Sequence, residues 1–139
     1  MKTTGSLFVS LMGLLIIPIF HSVSLQAQAP QSFSYQAIVR GVDGNPLTDQ
    51  LVSIQIKLHQ ASESGTVVYC ETHSTTTNPL GLVNLKIGTG TIVSGSFLNI
   101  DWSTGSYFLE VELDPVGGTA WIPMGITQLV SVPYALFRF

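Results

Sequence analysis

Charge is what this sequence lacks most. Only 9% of its 139 residues are Asp, Glu, Lys or Arg, against roughly 25% in an average globular protein. The five basic residues, Lys2, Arg40, Lys57, Lys86 and Arg138, are scattered. They form no stripe of the kind a phosphate backbone demands, so nucleic acid is not an expected partner. Cysteine is nearly missing too. Cys70 stands alone, so no internal disulfide can form. On a β-branched run it is expected to be a small buried apolar residue, and no neighbour in sequence would activate it as a thiolate. Helical periodicity is missing after the N-terminal segment, so no Gly-rich loop opens a helix for phosphate. No Gly-x-Ser-x-Gly elbow occurs either. The chain is expected to be neither an enzyme nor a cofactor protein.

What is present begins with a leader. Lys2 supplies a positive start, Leu7 to Phe20 is apolar, and Ala27-Gln28-Ala29 has the small-x-small form. This pattern reads as a secretory signal peptide over residues 1–27, cut after Ala27. The apolar run is shorter than the roughly 20 residues of a membrane-spanning helix and contains Pro18. The mature chain is therefore expected to be exported, to the periplasm, the outer surface or the medium, with no membrane span.

Residues 28–132 alternate with period 2. Phe33, Tyr35, Ala37 and Val39 share one side of a first strand, Ser32–Arg40. The turn Gly41-Val42-Asp43-Gly44-Asn45-Pro46 follows. In a second strand, Leu51–Gln60, Val52, Ile54, Ile56 and Leu58 oppose Ser53, Gln55, Lys57 and His59. Thr66–Thr77 is β-branched throughout, with either face open to burial. After the turn Asn78-Pro79-Leu80-Gly81, Val83, Leu85 and Ile87 point inward. Ile92–Thr104 has no clean period and reads as a long crossover loop, with Phe97, Ile100 and Trp102 on the core rim. Tyr107–Asp114 alternates again, and Thr119–Pro123 and Ile126–Val132 read as two short strands. About seven strands without a helix predict an all-β, antiparallel Greek-key β-sandwich. The apolar tail, residues 133–139, follows it.

Candidate sites are few. Glu110, Glu112 and Asp114 fall on one strand face about 6.5–7 Å apart, a spacing that evokes paired carboxylates on a glycosidic bond. A domain this small has little room for sugar subsites, and the acids read as a solvated face. Asp43-Gly44-Asn45 begins like a calcium loop but lacks the later ligands, so it reads as an Asx-type turn. His59 and His73 lie on different strands, and no metal site is expected. Trp102 and Trp121, with Tyr107, are candidates for an aromatic platform binding carbohydrate or peptide. The tail residues Tyr134, Leu136, Phe137 and Phe139 are candidates for an interaction patch that packs on the domain or on a partner.

Two resemblances enter at this point. Arg40 to Leu47, leading into Val52-Ser53-Ile54-Gln55-Ile56, resembles the first hairpin of transthyretin-like or carboxypeptidase-regulatory-like domains, which are non-catalytic sandwiches. A longer one rests on Ala29 to Ala37, Val67-Val68-Tyr69, Glu71-Thr72-His73, Asn78-Pro79-Leu80-Gly81, Ile100-Asp101-Trp102, Tyr107 to Val111, and Leu129 to Leu136. Together these resemble a recurrent N-terminal module of secreted Bacteroidetes surface proteins, found ahead of collagen-like, tail-fibre-like or repeat regions. A stand-alone module and the first part of a longer protein both fit that likeness. The likeness carries over no catalytic residues, and the chain is expected to play a structural or adhesin-like role at the cell surface, with a protein or glycan partner. The alternative is a small carbohydrate- or peptide-binding module using exposed aromatics.

Overall fold

The computed structural model describes residues 31–130. The signal segment 1–27 and the tail 133–139 lie outside the described residues. Seven strands form two antiparallel sheets: β1 (Phe33–Ile38), β2 (Leu51–Gln60), β3 (Val67–Thr76), β4 (Leu82–Ile87), β5 (Thr91–Gly95), β6 (Tyr107–Asp114) and β7 (Ile122–Leu129). A single 3-10 turn, Phe97–Asn99, lies between β5 and β6. The order is β1-β4 in the small sheet and β5-β3-β2-β6-β7 in the large one. The pairings β3–β5 and β2–β6 join strands that are not consecutive in the chain, as the Greek-key expectation requires.

β2 is the centre. Val52, Ile54, Ile56 and Leu58 all face the small sheet, where Val83, Leu85 and Ile87 of β4 meet them. All seven are buried, each worth about 1.5–3 kcal/mol of transfer free energy before conformational entropy is set against it. The alternation that marked these residues in the sequence is the direct cause of the two-layer packing. Tight turns set the register. At the β3–β4 turn, the Asn78 side chain accepts from the amides of Leu80 and Leu82, both at 2.9 Å, and Gly81 takes a φ of +76° that a side chain would strain.

Two expectations need correction. Residues 91–95, expected as loop, form β5. This is an edge strand with every residue exposed, so it carries no buried face and no alternation for the eye to find. The two short strands expected at 119–123 and 126–132 are one strand, β7. Pro123 sits inside it, tolerated because β7 is an edge. The register shifts opposite Val111 and Glu112, a bulge that absorbs the irregularity. The strand total agrees with expectation because one strand was gained and two merged.

Candidate functional site

The most enclosed polar cluster lies on the core face of β3. Tyr69, Glu71 and His73 alternate along the strand, so all three point between the sheets. The Glu71 carboxylate is fully buried. It accepts hydrogen bonds from the Tyr69 hydroxyl at 2.7 Å and His73 Nε2 at 2.9 Å. The amides of Gly88 (2.9 Å) and Gly90 (2.8 Å) donate to it as well. Burial pushes the Glu71 carboxyl upward, but the bonds from His73, Tyr69, Gly88 and Gly90 outweigh it and hold the group below the usual carboxylate range. Burial, and then the bond to Glu71, push the Tyr69 hydroxyl well up. The cluster ties the turn that leaves β4 for β5 to the middle of β3. Gly90 has to be glycine there, because a Cβ would stand 2.7 Å from His73 Nε2 and 2.8 Å from the Thr72 carbonyl. With four donors on its carboxylate and no exposure, Glu71 latches two sheets together and has no access to a substrate.

The opposite face of the large sheet carries the acids of β6. They are not the solvated face expected from the sequence: Glu112 is 8% exposed and Asp114 1%. The register explains why. Ser53 stands opposite Asp114, Gln55 opposite Glu112 and Lys57 opposite Glu110, so β2 crowds the acids from the side. Lys57 Nζ lies 2.8 Å from Glu112 Oε2. Burial works against the Lys57 charge, but Glu112 and then Glu110 hold its pKa above the ordinary lysine value. His59 Nε2 lies 2.6 Å from Glu110 Oε2, and Nδ1 is 3.0 Å from the Gly65 carbonyl. Asp114 turns away from both and accepts from the amides of Val116 (3.0 Å) and Ala120 (2.8 Å). Those amides hold its pKa below the usual range. Each carboxylate thus has its own partner, and no two converge on a shared reaction centre. Cys70, across from Lys57, is buried, and that burial pushes its thiol up.

The remaining candidates separate. His59 is on the outer face and His73 on the inner, so β2 and β3 keep them apart. Among the described residues, no group of three His, Cys, Asp or Glu side chains could hold a metal ion. Asp43 accepts from the Asn45 amide at 3.1 Å and from its side chain at 2.7 Å, an Asx turn. Trp102 is stacked into the core rim, with ring centroids 5.6 Å from Phe97 and 5.0 Å from Tyr107. It sits by the start of β6. Trp121 follows the turn at the end of β6, a strand of eight residues away. The two tryptophans and Tyr107 therefore do not make one platform. A cavity of about 500 Å³ beside Asn99, Asp101 and Tyr107 is lined by neither tryptophan. Tail residues Tyr134, Leu136, Phe137 and Phe139 lie outside the described residues.

What no short-range pattern revealed is a groove. The small sheet has two strands and the large one five, so β1 and β4 cover only part of it. Beyond β1 an apolar groove of about 400 Å³ opens between Phe33 and Tyr35 on one side and Leu109, Val111, Met124 and Leu129 on the other. Among the described residues, β1 borders it with an unpaired edge. Val39 donates its amide to the Gly81 carbonyl on the β4 side, and antiparallel alternation puts the backbone groups of Ala37, Tyr35 and Phe33 on that side too. Those of Ser34, Gln36 and Ile38 point over the groove, where no described residue pairs with them.

Comparison with known proteins adds one match. The family model described as "Domain of unknown function (DUF8740)" matches residues 34–126, from the first strand well into the last. No curated protein and no solved structure matches the chain.

Proposed function

The chain belongs to the DUF8740 family, and we propose that it is an exported, non-catalytic β-sandwich module that works by contact at the cell surface, in a structural or adhesin-like role. The observation that carries this reading is how its polar and apolar groups are divided. The buried acids Glu71, Glu112 and Asp114 are engaged inside the domain. What is left exposed is apolar strand edge: Ile92 and Val93 on β5, Ile122 and Met124 on β7. Edges of that kind recognise other chains through backbone pairing and side-chain pockets. The likeness to the N-terminal module of secreted Bacteroidetes proteins supports the same reading, as does the leader-like sequence pattern of residues 1–27. No helix among the described residues is long and apolar enough to cross a membrane.

Two measurements test this. Cells expressing the full chain should yield a product shortened by the leader, found outside the cytoplasm; an intact cytoplasmic product contradicts export. A glycan array probed with the mature protein should be silent. Selective glycan binding would instead favour the carbohydrate reading, with the 500 Å³ cavity beside Asp101 and Tyr107 as its site.

A further inference from the structure

We propose that the end of the sandwich formed by the turns after β1, β3 and β6 docks on a lipid bilayer, with Val42, Leu80 and Val116 entering its interface. This names a partner for the contact role proposed above and rests on that reading only in taking contact as what the chain does.

The topology gathers these turns at one end. Ile38, which closes β1, stands opposite Leu82, and Leu51, which opens β2, stands opposite Thr76. Ser53 stands opposite Asp114, and Leu113 opposite Ile122. Turns 39–50, 77–81 and 115–121 therefore leave the strands side by side. Hydrogen bonds tie them together. The Val39 amide donates to the Gly81 carbonyl at 2.8 Å, the Asp49 amide to the Asn78 carbonyl at 3.3 Å, and Gln50 Nε2 to the Pro115 carbonyl. Each turn holds one aliphatic side chain in the open: Val42 is 105% exposed, Leu80 71% and Val116 76%. Turn chemistry explains their neighbours, Gly41 and Asp43, Pro79 and Gly81, Pro115 and Gly117, but asks for no aliphatic residue between them. Leu51 and Ile122 extend the apolar surface at the same end. Trp121, half-buried beside Ile122, brings there the kind of ring that suits the headgroup level of a bilayer.

Two properties of the turns favour lipid over a protein partner. The first is their backbone. Polar backbone groups that enter lipid must be met from within the chain. The Leu80 amide donates to Asn78 Oδ1 at 2.9 Å, and the Val116 amide to Asp114 Oδ1 at 3.0 Å. Around Val42, the Gly44 amide donates to the Gly41 carbonyl at 2.9 Å, Gly41 to the Asn45 carbonyl at 2.8 Å, and Asn45 to Asp43 Oδ1 at 3.1 Å. These donors lose nothing when the turns leave water. The second is charge. The turns carry one cation, Arg40, and two anions, Asp43 and Asp49. Arg40 is bonded to the Gly44 carbonyl and Asp43 to Asn45. That set gives neither a charged partner nor an anionic headgroup much to recognise, so the attraction has to be apolar. A fluid interface also receives three separate side chains without a matched pocket for each, and affinity then follows the apolar area buried.

A probe placed on each turn tests the proposal. The full chain, in a Cys70→Ala background, carries a polarity-sensitive fluorophore at Val42→Cys, Leu80→Cys or Val116→Cys. The control is Glu63→Cys, at the far end of the sandwich, past the Gln60–Tyr107 pair. Cooperative urea unfolding shows that each variant is folded. The apolar run Leu7–Phe20 can bind lipid by itself, so the readout is local to each probe. On phosphatidylcholine vesicles the three turn probes should shift to the blue and be quenched by bromines on the acyl chains, at low and high salt alike. The probe at residue 63 should stay as it is in water. In the Val42→Cys protein, adding Leu80→Ser/Val116→Ser should raise the lipid concentration needed for half of the shift about tenfold or more. No shift, or a shift at one turn alone, overturns the proposal and leaves these turns to a protein partner. So does a shift that needs anionic lipid, or one that the double substitution leaves unchanged. A shift that grows with protein concentration in the absence of vesicles overturns it as well, and assigns the surface to a second copy. None of these outcomes depends on export or on the glycan array, so the functional reading can fail separately.

Discussion

The large sheet is two different surfaces under one name. Where β4 and β1 lie over β2 and β3, Val52, Ile56, Leu58 and Tyr69 have no measurable exposure. Where the small sheet stops, over β6 and β7, Val111 is half-buried, Met124 is 50% exposed and Ile122 45%. The residues are equally apolar on both sides of that line. What differs is the number of strands above them, two facing five among the described residues. The covered half is finished architecture. The open half is apolar surface of the sort that is stable only when something lies on it, or useful because something does. The polar chemistry follows the same line. The covered half contains the one carboxylate with no exposure at all, Glu71, held by four donors at the seam where the chain passes from β4 to β5.

The largest expected effect is at that seam. Glu71→Ala strands two glycine amides, the Tyr69 hydroxyl and His73 in a dry layer, and should cost about 3–5 kcal/mol in urea unfolding. A loss below about 1 kcal/mol would mean the cluster does not hold the sheets together. Next, Val52→Ala in the covered half, where Val52 is fully buried, should cost about 2 kcal/mol. The matching Val111→Ala in the open half, in a chain ending at Val130, should cost less than half as much; equal costs would erase the comparison. Acid titration sharpens it further. The Glu71 carboxyl titrates below its ordinary value in the fold. Its contribution is therefore complete at pH values above the ordinary carboxylate range and is lost as pH falls through the lowered native pKa. Glu71→Gln should flatten that acid limb, and an unchanged limb would assign it to other carboxylates. Smallest of all, Glu110→Gln breaks a contact whose acid side chain is 22% exposed. It should cost about 1 kcal/mol or less and fade with added salt.

The covered half was legible in the sequence. Val52 to Leu58 and Val83 to Ile87 alternate cleanly, because each strand has one face in the core and the pleat turns every second residue toward it. The bounds expected for β2 match the observed strand. β5 was illegible for the converse reason, since an edge strand with no buried face has no pattern. The acids of β6 misled because period 2 says which side a residue faces and not what lies beside it. Ser53, Gln55 and Lys57 crowd Glu112 and Asp114 only once β2 is known to be the neighbour. Tyr69, Glu71 and His73 show their shared face in their spacing. The amides of Gly88 and Gly90, which make a buried carboxylate tolerable there, are 17 and 19 residues away from Glu71. The groove is the most non-local feature, set by a count of strands in two sheets.

The most direct test of the open half is equilibrium unfolding of residues 28–139 with and without Pro133–Phe139. If the tail packs on the domain or on a partner, the deletion should lower stability by about 3 kcal/mol or more or change the oligomeric state. Superimposable unfolding curves with an unchanged oligomeric state would contradict the account and leave the groove open to a partner of another kind.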